Sequence, residues 1–368
     1  MKIEKLEAIR GFVAIYIVFH HLVSFYDLYH HSQVLKLLFM HPQEAVLVFF
    51  LLSGFVIYVS AAGTKDLTFF KYIKKRFVRI YPITVAAFLI STLIFLINGY
   101  HFTGVDLKNL VGNFLMLQDD KAQPGLIVPT YLNNVPLWSL SYEWWFYIMF
   151  FPLFIYVIKK RHFGTMPDIY LVLGISLIGW CLFLLWPNHL FLIVTYFLIW
   201  WSGVACAEIY LKYQDFQLKT LMPVIISVSI MSLAIALPVL NGYLLKHETL
   251  AEINAAYPIS TYLHYYLDTL MFLVIGLIWW KFKLVGFDLL LKGFKILAPI
   301  SFAIYIIHFP FIWLNLPFIH NFYLLNLVKL ALILLTAYLL EIKMQPLANK
   351  LFHNKIRPKK QELETQAF

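Results

Sequence analysis

The feature that most constrains this chain is a series of apolar stretches, each about as long as a bilayer is thick. A transmembrane helix needs roughly 20 mostly apolar residues to cross the hydrocarbon core. The series of stretches of this length predicts an all-α polytopic membrane protein, a bundle of about ten transmembrane helices. A shorter apolar run at 107–118 is predicted to be re-entrant or interfacial. The ten predicted spans are 7–26, 43–62, 80–98, 142–158, 168–186, 190–211, 220–240, 261–281, 296–316 and 322–342.

Composition supports this class. Hydrophobic residues make up 61% of the 368 residues and charged residues only 13%, whereas a soluble domain carries about 25% charged residues. That balance excludes a soluble domain with a single anchor. The two cysteines, Cys181 and Cys206, both lie in apolar stretches. They form neither a disulfide framework nor a zinc motif, and no metal site is predicted.

The basic residues predict the orientation. With the N-terminus in the cytoplasm, 23 of the 29 lysines and arginines fall in cytoplasmic segments, and the opposite side holds only Lys36, Lys108, Lys121 and Lys246. By the positive-inside rule, both termini are then cytoplasmic in a multi-pass protein of the plasma (inner) membrane. The net charge of +10 reflects topology and contact with anionic lipid, so no nucleic-acid partner is expected. Residues 1–345 are predicted to form the membrane domain and 346–368 a polar cytoplasmic tail.

Two ionisable side chains stand out in the first span, in the sequence RGFVAIYIVFHH. An arginine at mid-bilayer costs about 2.5–3.5 kcal/mol, so a buried arginine points to function. At about 100° per residue, the steps from Arg10 to His21 bring both side chains to one helix face, roughly 16 Å apart along the axis. His20 points about 100° away from His21. We interpret Arg10 and His21 as two depths of one site.

A cationic cluster, KYIKKRFVRIYP, lies at the predicted cytoplasmic end of the third span. Arg76 and Arg79 are three residues apart and therefore neighbours on a helix face, and Tyr81 follows them. Guanidinium groups bind phosphate oxygens through paired hydrogen bonds. The alternative is an ordinary positive-inside loop that contacts lipid headgroups. Because Arg10 lies at the same predicted level, the three arginines can converge on one anion.

A carboxylate lies near the start of the fourth span, in NNVPLWSLSYEWWFY. Asn134 is predicted to cap this helix. Within the helix, Glu143 lies one turn after Ser139. A histidine–carboxylate pair fixes the tautomer of a general base, so Glu143 is a candidate partner of His21. The alternative is that Glu143 only favours the helix macrodipole.

Three further polar side chains interrupt apolar helices. Ser53 lies beside Gly54 in FFLLSGFVIY, where small residues let helices approach closely. Tyr305 and His308 are one turn apart in PISFAIYIIHFP. Helix packing for Ser53 and a hydrogen-bonded core position for His308 are the simpler explanations, and a binding site is the alternative.

Taken in order, these motifs resemble those of the acyltransferase-3 family of integral membrane O-acyltransferases. The resemblance runs from Leu6 to about Leu340. It comprises an arginine and a histidine separated by ten residues, then FFLLSGF, RFVRIYP, WSLSYE followed by a Phe-Tyr pair, and a Ser–Tyr–His–Pro pattern over 301–310. Trp145 departs from the pattern, because many members have a polar residue there.

The resemblance implies the use of cytoplasmic acyl-CoA, usually acetyl-CoA, to acylate a hydroxyl of a glycan or lipid-linked sugar outside the cytoplasm. Such O-acetylation modifies polysaccharides of the cell envelope. The expected partners are membrane lipids, acyl-CoA as a substrate rather than a permanently bound cofactor, and the glycan acceptor. Residues and resemblance together predict His21 and Glu143 as catalytic, Arg10, Arg76, Arg79 and Tyr81 as donor-binding, and Trp138, Ser139, Ser53, Tyr305 and His308 as acceptor-binding or structural.

A polytopic exporter or flippase of a glycan or lipid is the alternative class. It too needs many helices with buried polar groups, although repeated halves of the kind found in transporters are not detectable. Some family members carry an extracytoplasmic hydrolase-like domain. None is expected here, so the acceptor has to reach the membrane site itself. Direct transfer and an acyl-enzyme on His21 both remain open, as do the acyl length and the acceptor.

Overall fold

The computed structural model describes residues 4–159, 168–256 and 258–354. Most of these residues are helical. Two strands of two residues each, β1 (Gln118–Asp119) and β2 (Val128–Pro129), pair in parallel. The prediction of an all-α membrane protein is confirmed. The helices are α1 (Glu4–Phe25), α2 (Gln33–Phe39), α3 (Pro42–Ala62), α4 (Phe69–Ile97), α5 (Gly104–Phe114), α6 (Leu137–Leu153), α7 (Asp168–Leu185), α8 (His189–Tyr213), α9 (Leu218–Leu245), α10 (Leu250–Ala256), α11 (Ile259–Lys281), α12 (Phe287–Leu290), α13 (Ser301–Trp313), α14 (Phe322–Tyr338) and α15 (Gln345–Asn354).

Within the described ranges, nine helical segments are long and apolar enough to cross a membrane. The predicted span 142–158 corresponds to α6, which has 17 residues and continues directly into a π-helical segment, Phe154–Lys159. The predicted re-entrant run becomes the short helix α5, followed by β1. Of the predicted polar tail, residues up to 354 form α15, whose Gln345 side chain donates to the Val78 carbonyl at 2.6 Å. Residues 355–368 lie outside the described ranges, as do the basic residues of the predicted loop at 160–161.

The basic residues of the loops lie mainly at one end of the bundle, where α1 and α4 begin and α3 ends. We call this the basic end. Lys295 forms an ion pair with Glu4 at 2.8 Å, and Lys74 donates to the Phe352 carbonyl at 2.7 Å. These contacts bring together segments that are far apart in sequence, as expected for loops on one side of a membrane.

Helices α3 and α8 cross in close contact because each carries a glycine at the crossing. A Cβ atom on Gly54 would lie 2.2 Å from the Trp200 carbonyl oxygen, and one on Gly203 would lie 2.0 Å from the Leu51 carbonyl oxygen. Only glycine leaves room for such backbone contact. The packing role expected of the Ser53–Gly54 pair therefore belongs to Gly54.

Helix α1 lies along the segment formed by the 3₁₀-helix Lys292–Ile300 and α13. The Arg10 guanidinium donates to the Ala298 carbonyl at 3.3 Å, and the His21 ring lies 5.2 Å from the His308 ring. Both side chains therefore face the same neighbouring segment. The prediction that Arg10 and His21 share one face of α1 is confirmed.

Candidate active site

A cavity of about 410 Å³ lies between α1, α3, α4, α6 and α13. Its walls are largely apolar, and its polar side chains come from all five helices. Seven of the eleven predicted site residues line it, whereas His21, Tyr81, Trp138 and His308 do not. The polar lining residues are Glu7, Arg10, Ser53, Ser60, Arg76, Arg79, Ser139, Glu143, Tyr147, Ser301 and Tyr305.

Two arginines in this cavity have no acidic partner in the described part of the chain. Arg10 makes its one hydrogen bond to a carbonyl, and Arg76 lies over the rings of Tyr72 and Tyr147, at 5.5 and 5.8 Å from their centroids. The Nε atoms of both arginines are buried without a hydrogen-bond partner. Among the described residues, no carboxylate oxygen lies within 4.0 Å of either guanidinium. Leaving a buried polar atom of a charged group unpaired is costly, so these two half-buried side chains favour an anionic ligand.

Arg79 differs from Arg76, although the two are one turn apart on α4. It forms a bidentate ion pair with Glu341, and its guanidinium lies 5.2 Å from the centroid of the Phe302 ring. Glu341 belongs to a π-helical segment, Leu339–Met344, and its side chain is only 3% exposed. The charge of Arg79 is therefore neutralised within the protein. Sequence reasoning missed Glu341, whose only signal was a carboxylate at the end of an apolar span.

Glu143 lies in a hydrogen-bonded cluster between α3 and α6. Its carboxylate accepts from the Ser53 hydroxyl at 2.7 Å and from the Tyr147 hydroxyl, and these two hydroxyls are 3.1 Å apart. All three side chains line the cavity. The structure thus places Glu143 with Ser53 and Tyr147, while the ring neighbours of His21 are His20, His308 and Phe309.

The deep end of the cavity is formed where α6 begins against α13. The hydroxyls of Ser139 and Tyr305 are 2.7 Å apart. The prediction that Asn134 caps α6 is wrong, because the helix begins at Leu137 without a side-chain cap. The Asn134 amide instead donates to the Ile306 carbonyl at 2.9 Å, so this side chain fixes the start of α6 to α13.

His21 and His308 lie just beyond this deep end. The Tyr305 ring, which lines the cavity, is 6.3 Å from the His308 ring, and the His308 ring is 5.2 Å from the His21 ring. His308 is fully buried, and its Nδ1 lies 3.1 Å from the Ile304 carbonyl. Since a carbonyl only accepts, the neutral His308 ring carries its proton on Nδ1. Its Nε2 then holds a lone pair and has no hydrogen-bond partner among the described residues.

Tyr81 and Trp138 pack outside the cavity. The Tyr81 hydroxyl donates to the Phe114 carbonyl at 3.1 Å, and its ring stacks on Phe77 at 4.3 Å. Trp138 packs edge-on against Tyr142 at 5.5 Å. These contacts support α5 and α6, which is the structural alternative that the sequence left open for Trp138.

A second polar cluster was missed in the sequence. His189 Nδ1 lies 2.7 Å from the Asp119 carboxylate, and His189 Nε2 lies 3.2 Å from the Ser141 hydroxyl. The Tyr142 hydroxyl also donates to Asp119, at 2.7 Å. The spacing resembles a serine–histidine–aspartate triad, but Ser141, His189 and Asp119 are fully buried and none of them lines the cavity. We interpret this cluster as a structural link between β1, α6 and α8.

Comparison with known proteins bears on the chain as a whole. A family model for an acyltransferase domain matches residues 3–342. The chain belongs to the acyltransferase-3 family. Acyltransferase MdmB of Streptomyces mycarofaciens is 38% identical to this acyltransferase-3 member over 118 residues, which is 32% of the chain described here and 29% of MdmB. The chain thus matches less than a third of that relative's length. No solved structure matches the chain.

Proposed function

We propose that this protein transfers an acyl group, expected to be acetyl, from cytoplasmic acyl-CoA to a hydroxyl of an extracytoplasmic glycan or lipid-linked sugar. The supporting observation is the pair of half-buried arginines, Arg10 and Arg76, that face the cavity with buried Nε atoms and no carboxylate partner among the described residues. The phosphate groups of CoA supply the missing anion, and guanidinium groups bind them through charge-assisted hydrogen bonds. The basic end is then the cytoplasmic end.

The volume and length of the cavity region fit the proposed donor. Its volume of about 410 Å³ is within the range typical of small-molecule sites, about 300–1,000 Å³. With the CoA phosphates at Arg10 and Arg76, the pantetheine arm points toward Ser139 and Tyr305. The distance from Arg10 to His21 along α1, roughly 16 Å, is one that extended pantetheine can bridge.

Two routes for the chemistry follow, and both use His21. In direct transfer, His21 takes the proton of the acceptor hydroxyl while the oxygen attacks the thioester carbonyl. The new C–O bond forms, the C–S bond breaks, and the CoA thiolate leaves and recovers the proton. In the second route a nitrogen of His21 attacks the thioester carbonyl, the C–S bond breaks, and the CoA thiolate leaves and takes the proton from the other ring nitrogen. The acceptor hydroxyl then attacks the acyl group on His21, the C–N bond breaks, and the hydroxyl proton returns to the ring.

His308 acts in this scheme as a positioning residue for His21. Its Nε2 lone pair is available to accept a hydrogen bond from an N–H of the neighbouring His21 ring, which would hold His21 in one tautomer and leave its other nitrogen free to act as base or nucleophile. Glu143, with Ser53 and Tyr147, lines the cavity nearer its middle, where it meets the donor or the acceptor.

The test uses purified protein in detergent and acetyl-CoA labelled on the acetyl group, with both free CoA and protein-bound label followed over time. We expect wild type to release CoA and folded His21→Ala to release none above background. Label retained on wild type but not on His21→Ala supports the acyl-enzyme route, and turnover without retained label supports direct transfer. CoA release by His21→Ala at the wild-type rate would overturn the scheme. Failure of folded wild type to bind acetyl-CoA would favour the exporter alternative.

A further inference from the structure

We propose that a divalent transition-metal ion of the zinc class binds between α3 and α11, at the end of the bundle opposite the basic end. Four side chains meet there. His41 and Glu44 lie at the start of α3, and His264 and Asp268 lie one turn apart on α11. The sequence predicted no metal site because the two pairs are 220 residues apart and neither alone has a metal-ligand motif.

The distances between these side chains fit a single ion. His264 Nε2 lies 3.1 Å from Asp268 Oδ2 and 3.3 Å from Glu44 Oε1. His41 Nδ1 lies 2.8 Å from the same Glu44 oxygen. In a tetrahedral zinc site with bonds of about 2.0–2.1 Å, neighbouring ligand atoms are about 3.3 Å apart. The candidate ligand atoms of Glu44, His264 and Asp268 already lie within 4.8 Å of one another, so little movement is needed.

The carboxylates of this cluster have unused oxygen atoms. Glu44 Oε2 and Asp268 Oδ2 are both buried without a hydrogen-bond partner among the described residues. Asp268 as a whole is only 7% exposed, and its 3.1 Å contact with His264 does not have the geometry of a hydrogen bond. Buried polar atoms are normally paired. A cation coordinated by Asp268 Oδ2 and by both oxygens of Glu44 would satisfy both unpaired atoms at once.

The surroundings allow an ion to enter. The side chains of His41 and His264 are 55% and 56% exposed, so the site can be reached from solvent. Within the described part of the chain, no lysine or arginine nitrogen lies within 4.0 Å of either carboxylate. The negative charge of Glu44 and Asp268 is therefore met only by histidines.

The ligand types indicate which ion is bound. Two imidazoles with two carboxylates suit Zn²⁺ and the neighbouring first-row metals, whereas Mg²⁺ and Ca²⁺ prefer sets made only of oxygen ligands. Binding would displace any proton from the ring nitrogens that coordinate the ion, because a metal ligand needs a free lone pair. The ion would then join α3 to α11.

The experiment uses protein purified in detergent through a tag that contains no histidine run, stripped with a chelator and dialysed. Zn²⁺ is titrated by calorimetry, and bound metal is counted by elemental analysis. We expect one ion per chain, with affinity at least tenfold lower in both Asp268→Asn and His264→Gln. The matched control is His101→Gln, which removes an exposed histidine outside the cluster and should bind zinc as wild type does. A raised melting temperature with Zn²⁺, seen in wild type and absent in Asp268→Asn, is the second readout.

Several results would overturn the proposal. The first is that wild type does not bind zinc stoichiometrically. The second is that the double variant Asp268→Asn/His264→Gln binds zinc as well as wild type does. The third is that His101→Gln loses as much zinc affinity as the cluster variants. If Asp268→Asn does not fold, His264→Gln still carries the test, because the exposed His264 side chain contributes little to the packed interior. Excess Mg²⁺ is expected not to displace zinc, and displacement would contradict the assigned ligand class.

Discussion

Arg76 and Arg79 differ in whether the guanidinium group has a carboxylate partner. Both are basic, both lie on one face of α4, and both line the cavity. Arg79 meets Glu341 from the far end of the chain, whereas Arg76 meets only tyrosine rings. Their spacing predicted that both side chains bind the phosphates of the donor. The structure makes them unequal, because the sequence pattern around α4 carries no information about a carboxylate 262 residues away.

Arg76→Ala is expected to raise the KM for acetyl-CoA by about 10–100-fold, because a charge-assisted hydrogen bond contributes about 1.5–3 kcal/mol. Lys71→Ala is the matched control. It removes an exposed basic side chain at the start of the same helix, outside the cavity, and should leave KM unchanged. Steady-state kinetics of CoA release measures both. An equal effect of the two substitutions would mean that general basicity, and not the cavity, attracts the donor.

Arg79→Ala is expected to act mainly on stability. It leaves Glu341, whose side chain is 3% exposed, buried without its cation. Removing one partner of a buried pair is strongly destabilising, but Arg79 is itself about one-third exposed, so we expect a loss of about 2 kcal/mol. Thermal unfolding in detergent measures it. The double variant Arg79→Ala/Glu341→Ala should recover part of the loss, and no recovery would show that the loss has another cause.

At the scale of helices, the sequence predicted the long helices but not the short elements. Every predicted span is helical over most of its length in the described ranges, because about 20 apolar residues in lipid have to form their hydrogen bonds within the segment. The small elements α2, α10 and β1 depend on contacts with the rest of the bundle. The 3₁₀ turn before α6 has φ of 45° at Leu132 and 56° at Asn133, a left-handed conformation that no periodicity indicates.

The crossing of α3 and α8 leads to a prediction about glycine. Gly54→Ala is expected to destabilise the protein by about 1–3 kcal/mol, since the new methyl group would meet the backbone oxygen of Trp200 and the helices would have to separate. Gly174→Ala in α7 is the control, because a Cβ there has nothing within 4 Å. It should be neutral or stabilising by up to about 1 kcal/mol. Melting temperatures in one detergent compare them, and equal values would show that the crossing tolerates a methyl group.

At the scale of the whole molecule, the sequence indicated which residues matter better than it indicated their partners. The motifs named seven residues that line one cavity, including Arg10, Ser139 and Tyr305. They contained Tyr147 without assigning it a role, and they did not reveal Glu341, because an ion pair between distant helices depends on how the bundle packs. The placement of His21 beside His308, just outside the cavity, was likewise not readable from spacing along α1.

Orientation in the membrane also belongs to this scale. In a variant with Cys181→Ala and Cys206→Ala, we expect a membrane-impermeant maleimide added to intact cells to label His247→Cys but not Lys71→Cys. Both positions are exposed, with 247 following α9 at the end opposite the basic end and 71 near the start of α4. Cell lysis should make both react. Labelling of Lys71→Cys in intact cells would invert the predicted topology.

The contact between Arg10 and Ala298 has a consequence for how the protein is made. The two residues are 288 positions apart, so a ribosome that adds about 5–20 residues per second needs roughly 15–60 s between them. Throughout that interval Arg10 lacks the carbonyl to which it donates, because the segment against which α1 packs has not been synthesised. Helix α1 therefore completes its packing only after the segment that contains Ala298 has been synthesised. The cavity cannot close before α13, which forms one of its walls, has been synthesised.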